Sequence, residues 1–304
     1  MGDILVTTFA FAVIIAIGWG IRRIGWVDIS AYTVLSKIVM RVTLPALIIT
    51  SFNDYDIDPA LLLLPLLGLV LVLVQQVVGV VMERRNGRQA QAFGVINIGF
   101  YNIGNFTVPY LSGFMGAQAV VYASMFDIGN ALAAMGIGFA WAMSLAREGS
   151  RFSATRFLKD LLKSPVFDTY VVMLVLRFLD LSFPEPVIVF TATAGAANTF
   201  LSMLMLGIAL EIRLERRSYG IALKYLVVRY ALAVPFALAA WYLVPLDEPI
   251  RVVLCTLLFA PLGGMAPVLT SYVGGDLRLS NFILSASVVI SVVAMPTVLV
   301  LLGA

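Results

Sequence analysis

Apolar residues run along this chain in long blocks separated by short polar turns. The blocks cover about 3–21, 31–51, 60–82, 90–111, 117–144, 164–180, 187–210, 219–243, 250–273 and 280–302. Each approaches the roughly 20 residues that an α-helix needs to cross the hydrocarbon core of a bilayer. The pattern predicts an all-α polytopic membrane protein with ten transmembrane helices. No soluble domain fits in the connecting loops.

Two blocks are interrupted. Asn102-Ile-Gly-Asn-Phe-Thr-Val-Pro109 lies in the fourth, and Pro261-Leu-Gly-Gly-Met-Ala-Pro267 in the ninth. Irregular backbone at membrane depth survives only where protein or a water-filled cavity satisfies its polar groups. Matched interruptions in two halves of a membrane chain point to a transporter's binding site. The fourth and ninth blocks hold the same place in two units of five. A repeat with an odd number of spans inserts its second copy upside down. The chain therefore divides into a first five-helix repeat over 1–145, a basic linker over 146–163, and an inverted second repeat over 164–304. Pro65 and Pro235 also occupy corresponding blocks.

Composition strengthens this picture. The 304 residues are 61% apolar and 12% charged, against about 25% charged in an ordinary soluble domain. Histidine is absent and Cys255 is the single cysteine, which removes histidine metal sites, Ser-His-Asp catalysis and an internal disulfide. No nucleotide-binding loop is present. Neither a cofactor nor a metal site nor an enzymatic activity is expected. Asp3 stands where a cleavable leader carries Lys or Arg, so the first block reads as a retained span.

Charge sets an orientation. Arg22, Arg23, Arg84, Arg85, Arg88, Arg147, Arg151, Arg156, Lys159, Lys163, Arg213, Arg216, Arg217 and Arg278 follow the odd-numbered blocks. The other loops carry Asp54, Asp56, Asp58, Asp180, Glu185, Asp247 and Glu248. By the positive-inside rule the basic loops are cytoplasmic, and both termini face outside. This distribution assigns the basic residues to membrane topology, not to nucleic acid. The Arg147–Lys163 stretch reads equally as a plain linker or as a short amphipathic helix on the headgroups.

The candidate site begins at the interruptions. Asn102, Asn105, Gly104 and Pro109, with Pro261, Gly263 and Pro267, are candidate substrate contacts. A helix restarting in the membrane presents unpaired N–H groups and the positive end of its dipole, which suits an anion. The alternative for the fourth block alone is a proline kink with asparagines bonded across helices. Asp127, about ten residues into its span, is an intramembrane carboxylate and a candidate ion-coupling residue, with Asn130 one turn away. Arg41 and Arg229 have two open roles: attracting an anionic substrate or pairing with Asp127.

These residues resemble the auxin efflux carrier family, which includes plant auxin exporters and bacterial permeases for organic acids. Asn102, Gly104 and Pro109 match its span-four pattern, with Thr107 in place of a second glycine. Phe126-Asp-Ile-Gly-Asn130, Leu44-Pro-Ala46, Arg229 ahead of Pro235, and Ala260-Pro261 are similar to further family segments. The resemblance implies the ten-span fold of bile-acid sodium symporters. In that fold a scaffold stands beside a domain in which spans four and nine cross at their breaks. It implies a secondary carrier of a small organic anion in the plasma membrane, the inner membrane of a bacterium. H⁺ or Na⁺ is the candidate coupled ion, elevator-like motion is expected, and a homodimer is admitted. The competing readings are a sodium-coupled symporter, an ion channel and an intramembrane prenyltransferase. The last is disfavoured because no second aspartate-rich motif accompanies Asp54, Asp56 and Asp58.

Overall fold

Lipid offers backbone groups no hydrogen bonds, so apolar blocks of this length close their bonds internally as helices. The computed structural model describes residues 2–147, 161–162, 164–211 and 213–303. The basic linker's amphipathic reading thus lies outside the described residues. Helices α1 (Gly2–Arg23), α2 (Ser30–Ile38), α3 (Leu44–Phe52), α4 (Leu63–Met82) and α5 (Arg88–Ile98) come first. They are followed by α6 (Val108–Ala131), α7 (Phe139–Ala146), α8 (Pro165–Phe178), α9 (Glu185–Ala196) and α10 (Asn198–Ala209). The chain ends in α11 (Tyr219–Leu243), α12 (Glu248–Leu257), α13 (Ala266–Tyr272) and α14 (Leu277–Leu302).

Among the described residues, seven helical stretches are long and apolar enough to cross a membrane. The difference from ten has three sources. The fourth and ninth blocks are broken, so α5, α12 and α13 are each too short. The second part of the fourth block continues into the fifth as one helical run, Ile103–Ala146. That run bends at Gly116, whose φ of 67° and ψ of −151° only glycine adopts readily. Third, α8 has just 14 residues.

Among the described residues, three π-helical turns interrupt the regular ladder. Val39–Thr43 joins α2 to α3, Ile103–Thr107 leads into α6, and Leu132–Gly138 joins α6 to α7. Pro45 and Pro109 each stand two residues after such a turn, at the same spacing. A proline ring clashes with the carbonyl four residues back and offers no N–H. Widening the preceding turn relieves both problems. The third π turn has no proline. There Gln76 Nε2 donates to the Ala133 carbonyl at 3.1 Å.

The helices pack in two groups. In one, α1 lies along α10, α2 and α3 pack on α9 and α10, and α3 also meets α8. In the other, α4, α5, α6 and α7 pack together with α11, α12, α13 and α14. Each group draws on both halves of the chain. Contacts of α6 with α3 and α10, and of α1 with α14, join the groups. The outward faces are apolar, as lipid requires: Val6, Phe9, Leu223 and Val293 are all more than 60% exposed.

Candidate functional site

The two broken helices meet. Helix α5 stops at Ile98 and α12 at Leu257, and the chain beyond each runs extended past the other. Tyr101 and Leu262 form an antiparallel bridge. Asn102 N–H donates to the Pro261 carbonyl at 2.9 Å, and Gly263 N–H to the Phe100 carbonyl at 3.2 Å. Each break therefore satisfies part of the other's backbone. Gly263 permits the approach, because a Cβ there would enter the Phe100 ring.

Neighbouring helices satisfy much of what remains. Asn130 on α6 accepts from Tyr101 N–H at 3.0 Å and donates to the Tyr101 carbonyl at 3.1 Å. On the opposite side Ser287 of α14 accepts from Leu262 N–H at 3.0 Å. Gln76 donates to the Gly99 carbonyl at 3.3 Å, and Gln75 to the Tyr101 hydroxyl at 2.7 Å.

Arg229 reaches the crossing from α11 and is only 1% exposed. It donates to the carbonyls of Ile98 at 2.8 Å, Ala260 at 2.9 Å and Pro261 at 3.0 Å. Its guanidinium lies 4.8 Å from the centre of the Tyr101 ring. The carbonyl ends of two helices, each carrying partial negative charge, converge on this one cation. The expected alternative of pairing with Asp127 is thereby corrected. The guanidinium fork matches several carbonyls at once, and no carboxylate is among its described partners.

Asp127 is held otherwise. Asn130 Nδ2 donates to one carboxylate oxygen at 2.8 Å, and the Tyr170 hydroxyl of α8 to the other at 3.2 Å. The second oxygen would lie 3.9 Å from a Cβ on Gly104. Asp127 thus borders the first turn after the break. Arg41 is exposed, and among the described residues it makes no hydrogen bond or ion pair with Asp127. Its π-helical turn packs against Ile103–Thr107.

The restart positions differ from expectation. The irregular stretch is 99–102, not Asn102–Pro109, and the second is 258–265, ending before Pro267. Pro267 occupies the first turn of α13, where a proline costs no hydrogen bond, since the N–H would be unpaired anyway. Pro109 stands further in, two residues after the π turn with which the other helix restarts. The second restarted helix, α13, has only seven residues, so the paired positive ends expected at the site are unequal.

Several buried polar atoms lack a protein partner, Asn198 Nδ2 and Ser202 Oγ on α10 among them, and two belong to the asparagines after the first break. Asn102 Nδ2 and Asn105 Oδ1 are buried and unpaired. A methyl group on Gly264 would stand 3.6 Å from Asn102 Nδ2, 3.8 Å from Asn105 Nδ2 and 3.9 Å from the Tyr32 hydroxyl. Buried polar atoms normally find partners. Two amide nitrogens face one glycine, and the free Asn102 donor there suits a small polar ligand or water.

The family model described as "Membrane transport protein", that of the auxin efflux carriers, matches residues 3–301. The chain belongs to the auxin efflux carrier family. An uncharacterized transporter of Methanothermobacter thermautotrophicus is 24% identical over 149 residues, 48% of this chain and 49% of that protein. The chain matches about half the length of that relative.

In this family member, several site residues escaped sequence reasoning. Gln75 and Gln76 form an amide pair inside the apolar run of α4, a signal that was available. Ser287 and Ser291 recur at helical spacing on α14, and Ser291 donates to the Phe259 carbonyl at 2.7 Å. Tyr32, Tyr101 and Tyr170 gave no signal, because a tyrosine in an apolar block reads as packing. Among the described residues no group of three His, Cys, Asp or Glu is placed to hold a metal ion.

Proposed function

We propose that this family member is a secondary carrier of a small organic anion, with its substrate site at the crossing of the two broken helices. The observation that carries this reading is the unpaired Asn102 Nδ2, which faces Gly264 together with Asn105 Nδ2. Arg229 is engaged by the carbonyl ends, so the open N–H groups at the start of the Ile103–Thr107 turn remain for a carboxylate. Asn102 and Asn105 then fix its orientation.

Ten spans in two inverted repeats, with both termini outside, fit the same features. Tyr101 and Leu262 are reciprocal bridge partners. Each has its N–H held by a side chain from the following long helix, Asn130 or Ser287. Alternating access would slide the α4–α7 and α11–α14 group against α1–α3 and α8–α10. Among the described residues few polar ties cross that boundary: Tyr170 to Asp127, Tyr55 to the Tyr122 hydroxyl at 2.9 Å, Thr199 to the Pro109 carbonyl at 3.2 Å and the Ser112 hydroxyl at 3.3 Å, and Glu211 N–H to Ser285 at 2.8 Å.

Asp127 is the ion-coupling residue in this reading, with Asn130 orienting it. Both its oxygens already face donors, from Asn130 and Tyr170, and donors repel a metal cation. This favours H⁺ over Na⁺ as the coupled ion. The test is equilibrium binding of a panel of small carboxylates to the purified chain, with and without sodium, at two pH values. Sodium-independent, pH-dependent binding supports the proton-coupled carrier, and sodium-dependent binding supports the symporter instead.

A further inference from the structure

A second polar feature lies away from the crossing, where α10 gives way to α11. A surface cavity of about 590 Å³ opens there, lined by Arg213, Arg217, Arg278, Glu215, Ser218 and Ile221 among others. Glu215 bridges two of the arginines, reaching Arg217 at 2.9 Å and Arg278 at 4.0 Å. The arginine side chains of both pairs remain 85% exposed. Asp276 accepts from Leu279 N–H at 3.0 Å, so its carboxylate caps α14 and is turned to its own chain. By contrast, the 25-residue α11 begins at this cavity, where the 3₁₀ turn Arg216–Ser218 runs into it and the Tyr219 N–H donates to the Arg216 carbonyl. Three guanidinium groups therefore carry the charge of the cavity, at the positive end of a long helix.

The surroundings decide the ligand class. Arg216–Leu243 is a candidate membrane span, so its first turn stands at headgroup level. Beside the cavity, Ile221 and Leu277 are 46% and 45% exposed, and Tyr219 stacks edge-on against Phe282 at 5.4 Å between centroids. A cationic head above exposed apolar side chains of two neighbouring helices matches the two ends of a phospholipid. Guanidinium forks match phosphate oxygens geometrically, and a helix N-terminus adds its dipole.

We infer that this cavity is a binding site for the phosphate headgroup of an anionic phospholipid, with its acyl chains along the α11–α14 face. Arg213, Arg217 and Arg278 hold the phosphate, and Ile221 and Leu277 receive the first methylenes. Basic pockets between membrane helices are established places for such headgroups. The inference requires only a membrane-embedded chain, and it stands or fails independently of the substrate site at the crossing.

The test is native mass spectrometry of the full chain, titrated in detergent with phosphatidylglycerol, phosphatidylcholine or soluble glycerol phosphate. Phosphatidylglycerol should bind in preference to phosphatidylcholine. The double variant R213Q/R217Q should weaken that binding by roughly tenfold, since each basic residue near a surface contributes appreciably to anionic-lipid attraction. R278Q serves as an independent single variant with a smaller loss. The control R84Q/R85Q, at another basic turn, should leave binding unchanged. Equal binding of the two lipids would overturn the inference, as would an undiminished phosphatidylglycerol signal in both R213Q/R217Q and R278Q. Glycerol phosphate binding as tightly as the lipid would overturn it too, by identifying a free-anion site.

Discussion

Asn130 holds Tyr101 by both of its backbone groups, accepting from the N–H at 3.0 Å and donating to the carbonyl at 3.1 Å. One side-chain amide thus replaces the two hydrogen bonds that a continuous helix would have supplied at the break. Its Nδ2 also donates to Asp127, so the same residue ties the crossing to the candidate ion-coupling carboxylate. Asn130→Ala should orphan two buried backbone groups and lower stability by about 2–4 kcal/mol. Thermal unfolding in detergent measures this. Asn130→Asp keeps the acceptor but loses the donor, and it places a second carboxylate beside Asp127. Its loss should be of similar size.

Arg229 tests the structural role of a buried charge. Arg229→Lys cannot reach three carbonyls and stack on Tyr101 together, because an ammonium is a point charge without the planar fork. Stability should fall by about 2 kcal/mol or more. Substrate affinity in the surviving folded fraction should change little. Intact stability with lost affinity would instead place Arg229 in contact with substrate.

Asp127→Asn preserves the shape of the side chain and one acceptor for its neighbours. The variant should fold. Its transport should fall by roughly tenfold or more, and the remaining flux should lose its pH dependence, because a titratable group at membrane depth has been removed. Reconstituted flux measured across pH at matched protein amounts decides the matter. A wild-type pH profile in the variant would remove Asp127 from ion coupling.

Glu83, just past the end of α4, gives a pH prediction for stability. Burial pushes its carboxyl up, but hydrogen bonds from Lys224, Asn86 and Tyr225 outweigh this and hold it below the ordinary 4.5. The Lys224 ammonium lies 2.6 Å from Glu83 Oε1. A depressed folded value means that the contribution is fully present above pH 4.5 and is lost as pH falls through the lower folded value. The wild-type chain should therefore lose stability on acidification below that point more steeply than Glu83→Gln. The variant should already be less stable at pH 7. Melting temperatures from pH 7 to pH 3.5 check both statements.

The apolar blocks were legible because lipid leaves the backbone no alternative to helix. The existence of two breaks was legible as well, from Asn, Gly and Pro inside runs otherwise fit to span. Their positions were not. Pro109 and Pro267 look like breakers, yet Pro267 sits where a helix starts and an N–H is dispensable, and the π turn before Pro109 accommodates it. The breaks lie just before, where strand-like pairing of Tyr101 with Leu262 competes with helix. That pairing joins residues distant in sequence and leaves no local signal. Arg229 shows the same limit: its depth could be counted, but its carbonyl partners are backbone groups that every residue carries. Ser287 was invisible singly, since a serine in a membrane helix more often bonds its own preceding turn.

The central claim is a ligand site between Asn102, Asn105 and Gly264, and binding of a carboxylate to purified protein tests it most directly. Gly264→Ala is the informative variant. The nearest atom to its new methyl would be at 3.6 Å, an ordinary contact, so the fold should be undisturbed while the space beside both asparagines shrinks. Asn102→Ala removes the unpaired donor instead. The wild-type chain should bind at least one small carboxylate by calorimetry. Both variants should bind it roughly tenfold more weakly or worse, a loss of ~1.4 kcal/mol, with melting temperatures unchanged. Wild-type affinity in both variants, or no carboxylate binding to the wild-type chain at all, would contradict a substrate site at the crossing.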